Sequence, residues 1–182
     1  KNGKRTGANT WRCVECHGWD YRGKDGIYGS GDRYTGIMGV RRAAGQSLSH
    51  IMTMLRAEPH KYDREMITDD ELRRLAIFLS RGQDNADRLI DPKTGRVKGD
   101  AARGAGLFQT TCAACHAFDG RALNWGTAEE PAYIGTEANK LPHEVLHKIR
   151  NGHPGVAMIN LRGFPLKDAV DILTFSQTLP SK

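Results

Sequence analysis

The amino-acid sequence predicts an all-α chain built from two tandem helical domains. Three observations carry that expectation. Apolar residues recur at i, i+3, i+4 and i+7 in both halves. Strand-like alternation is scarce. The pentapeptide CysXXCysHis occurs twice, at Cys13-Val14-Glu15-Cys16-His17 and Cys112-Ala113-Ala114-Cys115-His116, its copies 99 residues apart. That is an internal repeat at the scale of a small domain. A chain of 182 residues has room for one or two domains. The expected division is residues 1–82, a polar linker over 83–98 and residues 99–182.

The elements follow in order. Only twelve residues precede Cys13, so any helix there is short, irregular or absent. Six glycines between Gly23 and Gly39 read as a long loop. Ser47 caps a helix carrying Leu48, Ile51, Met52 and Leu55 on one stripe. Thr68-Asp69-Asp70-Glu71 reads as a capping box, followed by Leu72, Leu75, Ala76 and Leu79, with Gly82 as the stop. Gly82 to Lys98 holds Asp91-Pro92 and Thr94-Gly95 and reads as the linker. Gly99 to Thr111 reads as a helix with Gly104, Leu107 and Phe108 on one side, Gly104 allowing a close crossing. Pro142 suits a first helical turn, with Leu141, Val145 and Ile149 around it and Gly152 closing. A last helix runs from about Pro165 to Gln177.

The two pentapeptides use all four cysteines. CysXXCysHis is the attachment signature of c-type haem. Two thiols in register add across the vinyl groups, and the adjacent histidine faces the iron. The competing chemistries fit less well. A redox dithiol needs a leading strand, and the run before Cys112 is helical. A four-thiolate zinc site would have to span 95 residues and would leave each histidine unexplained. Disulfides across two-residue loops close badly. The expectation is two covalent haems, through Cys13, Cys16 and His17 and through Cys112, Cys115 and His116.

Thiol attachment of haem is done outside the cytoplasm on exported chains, so a periplasmic or otherwise exported protein is expected. The sequence begins at Lys1 without an apolar leader, which either a removed signal peptide or a trimmed sequence explains. No apolar stretch approaches a membrane span. Formal net charge is +6, and haem propionates would bring it closer to neutral. A basic face would steer an acidic redox partner; an ordinary solvated surface explains the charge as well. No lysine/arginine tract is interleaved with aromatics, so nucleic acid is not an expected partner.

These residues resemble tandem class I cytochrome c domains over nearly the whole chain. The second half matches best, through Gly104-Ala105-Gly106-Leu107-Phe108, the Cys112–His116 motif, Asp119-Gly120, Leu141 to Arg150 and Pro165 to Leu179. The first half departs from the pattern before Cys13. The resemblance implies an all-α cytochrome c-like fold in each half, with the C-terminal helix packed across the first. It also implies a distal iron ligand between the last two helices, often methionine. In the second half that place falls on Met158, in His153-Pro154-Gly155-Val156-Ala157-Met158. A core gap-filling role for Met158, with His153 as ligand, is the alternative. In the first half the family's spacing back from Ile67-Thr68 lands on His60, with Met66 as the alternative; a five-coordinate iron also stays open. In this family a proline-containing loop after the motif accepts the proximal histidine's other N–H. Pro131 is the candidate for His116, whereas the acceptor for His17 must come from the glycine-rich loop. Trp19, Tyr21, Tyr28, Trp125 and Tyr133 either pack on haem or fill the core.

The function implied is one-electron transfer between redox partner proteins, as in a respiratory chain. A catalytic alternative is a dihaem peroxidase or thiosulfate dehydrogenase. No cysteine remains after haem attachment to serve as a distal ligand, which argues against a cysteine-ligated thiosulfate site. Glu58, His60 and Glu65 supply acid/base groups for a peroxidase, though nothing in their spacing demands it. A third reading is a dedicated cytochrome subunit of a dehydrogenase or oxidase.

Overall fold

A computed structural model describes Gly7 and residues 11–182 of the chain. The expected short or absent helix before Cys13 falls mostly outside these described residues. The chain divides into two compact units, Lys1–Asn85 and Ala86–Lys182. Both are helical. Among the described residues the only β-pairing is two isolated bridges, Gly23 with Met38 and Ile90 with Val97.

The first unit contains α1 (Cys13–His17), a 3-10 turn (Arg41–Ala43), α2 (Leu48–Arg56) and α3 (Asp69–Ile77), which runs into a wider turn over Phe78–Gly82. The Ser47 hydroxyl accepts from the His50 N–H at 3.3 Å and starts α2. Thr68 and Glu71 make the reciprocal capping box of α3, satisfying two donors that the first turn leaves orphaned. Ile51 and Leu55 of α2 close on Leu72, Ala76 and Leu79, the core of this unit. The glycine-rich segment is folded around a buried carboxylate. Asp20 accepts from the backbone N–H groups of Arg22 and Ile27, and Tyr21 and Tyr28 are buried beside it. Gly39 passes so close to this turn that a Cβ there would lie 2.0 Å from the Tyr21 carbonyl oxygen. Tyr21 and Tyr28 therefore belong to the protein interior.

The second unit contains α4 (Ala101–Thr111), α5 (Ala113–His116), α6 (Ile134–Lys140), α7 (Pro142–Asn151) and α8 (Leu166–Ser176). α8 packs across α4, with Phe108 and Phe175 rings 5.4 Å apart. The crossing is close because Gly104 carries no side chain; a Cβ there would meet the Asp171 carbonyl oxygen at 1.9 Å. Buried Asp171 ties the helices together, accepting from the Asp100 N–H (2.8 Å), Arg103 (2.5 Å) and Lys167 (2.6 Å).

Two features differ from the sequence reading. Residues 86–98, expected within a linker, are part of the second unit. Ala86, Ile90 and Val97 are buried in its core. The Val97 N–H donates to the Gln177 side chain at 3.0 Å, and the same side chain donates to the Gly95 carbonyl at 2.9 Å. Helix α6 was also not expected. Its residues include glycine and threonine, poor helix formers, and tertiary contacts hold it. The Thr136 hydroxyl donates to the Ser181 carbonyl at 2.6 Å, and a Cβ on Gly135 would meet the Leu179 carbonyl oxygen at 2.3 Å.

Candidate functional site

Each CysXXCysHis motif forms a single short helix that ends at its histidine. One turn of helix puts the two thiols on neighbouring positions of one face and leaves the imidazole at the C-terminal end. None of the four cysteines is paired in a disulfide. Burial pushes the Cys16 thiol upward, reinforced by Cys13 and Glu15. Burial, then Cys115, raises Cys112 to about 11.

In the first unit His17 has a defined environment. Its Nδ1 lies 2.6 Å from the Met38 carbonyl oxygen. A carbonyl only accepts, so Nδ1 carries the proton and Nε2 keeps the lone pair a metal requires. Met38 lies in the glycine-rich segment and supplies the acceptor that the sequence reading placed there without naming. Burial lowers the pKa of His17, with His60 adding to the fall and the Met38 carbonyl opposing it. The neutral, ligating form is favoured.

The structure brings His60 to His17. Their ring centroids are 6.1 Å apart at an interplanar angle of 34°. Two imidazoles bound to one metal from opposite sides, with bonds of about 2 Å and about 1 Å more from each nitrogen to its centroid, stand roughly 6 Å apart. His60 is half-buried, and its Nδ1 has no hydrogen-bond partner among the described residues. Tyr62 stacks beside it at 6.0 Å and 20°. The alternative, Met66, sits on a turn in which Asp63 accepts from the Glu65 and Met66 N–H groups, and it is 66% exposed. Met52 packs against the core. Met38 and Met54 are exposed.

In the second unit His116 is lowered in pKa by burial. Its Nδ1 is buried and meets no hydrogen-bond partner among the described residues, so the Pro131 carbonyl is not its acceptor. The loop after the motif is folded on itself. The Asn124 side-chain oxygen accepts from the Gly126 and Ala132 N–H groups, and Trp125 N–H donates to the Ala132 carbonyl. The Trp125 ring stands 6.1 Å from that of His116. Met158 is half-buried on the loop after α7. That loop is fastened by buried Arg150, which donates to the carbonyls of Leu161 and Phe164, the latter at 2.8 Å. His153, the alternative ligand, is exposed, and its Nδ1 lies 2.8 Å from the Pro154 carbonyl oxygen.

The exposed large apolar side chains of this unit are Phe118, Leu123, Trp125, Val156, Ile159 and Phe164. All six fall on the two segments that carry or follow His116 and Met158. Apolar side chains gathered on such segments, with two cysteines outside any disulfide and a neutral imidazole, suit a flat apolar macrocycle fixed by two thioethers. A bare ion has less support: among the described residues no three His, Cys, Asp or Glu side chains are grouped to hold one.

Comparison with known families agrees for this unit. The family described as cytochrome c oxidase, cbb3-type, subunit III matches residues 99–175. This stretch is a cytochrome c domain. Such a domain transfers electrons through a c-type haem, here attached covalently through Cys112 and Cys115. No curated protein sequence matches the chain significantly. Among the described residues, no helix is long and apolar enough to cross a membrane.

Proposed function

We propose that the chain is a dihaem electron-transfer protein, exported from the cytoplasm, that relays single electrons between redox partners. In this reading residues 1–82 are a first cytochrome c domain and residues 99–182 the body of a second. The observation that carries the proposal is the His17–His60 pair, 6.1 Å apart, with His17 Nδ1 on the Met38 carbonyl. It supports a second haem on Cys13 and Cys16, where the family match does not reach.

A haem, when bound, supplies a reversible one-electron iron couple. The protein's residues fix and tune it. Cys13 and Cys16, and Cys112 and Cys115, supply the thioether attachments. His17 and His116 are the proximal ligands, and the Met38 carbonyl holds the His17 tautomer. His60 is the distal ligand in the first unit and Met158 in the second. A thioether stabilises ferrous iron more than an imidazole does. The two ligand pairs therefore set a lower potential in the first unit than in the second, and the downhill direction runs from first to second.

The test is haem stoichiometry of the full-length protein matured in a cytochrome c-producing host. Intact mass and haem absorbance after denaturation should give two covalent haems per chain. The double variant Cys13→Ala/Cys16→Ala should retain one. A single haem in the parent protein would overturn the reading.

The family match favours a more specific role within it. The matched family is named for a subunit of an oxidase, so the chain is a candidate electron-carrying subunit or dedicated partner of a larger oxidoreductase. Co-purification with a stoichiometric partner supports that role; a monodisperse free chain from its native host counts against it.

A further inference from the structure

We propose that Tyr62 is a positioning residue that holds the His60 imidazole by stacking on its ring. The proposal rests on His60 being the distal ligand of the first unit. A ligating histidine is ordinarily oriented by a hydrogen bond from its other ring nitrogen. His17 has that bond, to Met38. His60 does not: its Nδ1 is buried and meets no partner among the described residues. Something else must set the plane of its ring.

Tyr62 is built to do so. Its ring lies 6.0 Å from that of His60 at 20°, close to parallel. The intervening Lys61 has φ 51°, a left-handed conformation that costs energy in any residue bearing a Cβ. The surrounding structure holds Tyr62 in place. Its N–H donates to the Leu55 carbonyl at 3.1 Å. Its own carbonyl accepts from the Arg56 guanidinium at 2.9 Å, and Arg56 also grips Asp69 at 2.7 Å. The Tyr62 side chain packs against the α2–α3 core. One side chain thus links the rigid core to the distal ligand.

The stack does not change the charge or identity of the ligand. It limits how readily His60 swings away, so its loss opens a coordination position. An aromatic pair of this kind is worth up to about tenfold in an equilibrium. The experiment is carbon monoxide titration of the reduced, haem-loaded, full-length protein, read optically. Four proteins are compared: the parent, Tyr62→Phe, Tyr62→Leu and His60→Ala. The parent and Tyr62→Phe should bind carbon monoxide equally poorly. Tyr62→Leu should bind it about tenfold more tightly, at one haem per chain, and His60→Ala should bind it fully at that haem. If Tyr62→Leu fails to accumulate with haem, Tyr62→Met keeps apolar volume without a ring and carries the same expectation. An open His60→Ala with a Tyr62→Leu like the parent would overturn the positioning role. So would a Tyr62→Phe as open as Tyr62→Leu, since the hydroxyl would then be the active group. A His60→Ala as closed as the parent would overturn the His60 assignment itself, and the positioning role with it.

Discussion

Helix α4 offers two glycines, two residues apart, whose replacement by alanine should have opposite effects. Gly104 faces α8. A Cβ there would stand 1.9 Å from the Asp171 carbonyl oxygen and 2.5 Å from its carbonyl carbon. Ordinary contact begins near 3.4 Å, so α8 would have to retreat by about 1.5 Å. The obstruction is helix backbone, which cannot rotate aside. Overpacking of this kind costs about 1–3 kcal/mol or more, and it also separates Asp171 from Arg103 and the Asp100 N–H. Alanine's better helix propensity returns only about 1 kcal/mol. Gly106 is exposed, and a Cβ placed on it would meet nothing within 4 Å, so Gly106→Ala keeps the propensity gain of about 0.5–1 kcal/mol. In a unit of this size 1 kcal/mol moves Tm by about 4–8 °C. Net of that gain, Gly104→Ala should lower Tm by up to roughly 16 °C, whereas Gly106→Ala should raise it by a few degrees. Thermal unfolding of matched holoproteins by circular dichroism is the assay. A Gly104→Ala protein as stable as Gly106→Ala would refute the close crossing of α4 and α8.

Three further outcomes are expected. Burial alone would raise the pKa of Asp171, but the Asp100 N–H, Lys167 and Arg103 together hold it below the usual carboxylate range. A depressed folded pKa contributes stability that is present above the unfolded value, near 3.9, and is lost as pH falls through the folded value. Melting temperature should fall below about pH 4, and Asp171→Asn should flatten that part of the profile while costing about 2 kcal/mol at neutral pH. Thr68→Ala removes the capping box of α3 and should cost about 1 kcal/mol in denaturant unfolding, with Thr68→Ser restoring most of it. Arg150→Met leaves the Phe164 carbonyl without its donor and the Leu161 carbonyl with the Phe164 N–H in place of two donors, a loss of about 1–3 kcal/mol; it should also weaken the far-red sulfur-to-iron absorption band of the oxidised protein, because the loop bearing Met158 loosens.

Much of the fold was legible because its signals are local. The Ser47 and Thr68 caps, Pro142 at a first turn and Gly152 after the last turn of α7 each act within a few residues, and each lies where its chemistry requires. The packing of 86–98 was not legible. Ala86, Ile90 and Val97 are spaced as on a helix, but Asp91-Pro92 and Thr94-Gly95 interrupt any helix between them, and the Val97 N–H is held by Gln177, far along the chain. Helix α6 was hidden for a similar reason, since Thr136 and Gly135 are held by the C-terminal segment rather than by propensity. At the site, the attachment cysteines and their histidines are announced by the motif itself. The meeting of His60 with His17 was reached through the family's spacing. Tyr62 was missed, although its place two residues after a candidate ligand was a signal available in the sequence. Pro131 was misassigned because the presence of a proline after the motif does not fix where its carbonyl lies relative to His116.

Potentiometric titration of the holoprotein, followed optically, tests the central claim most directly. The account predicts two well-separated one-electron waves, with His60→Met raising the lower wave and Met158→His lowering the upper one. A pair of overlapping waves at high potential, unmoved by His60→Met, would contradict it.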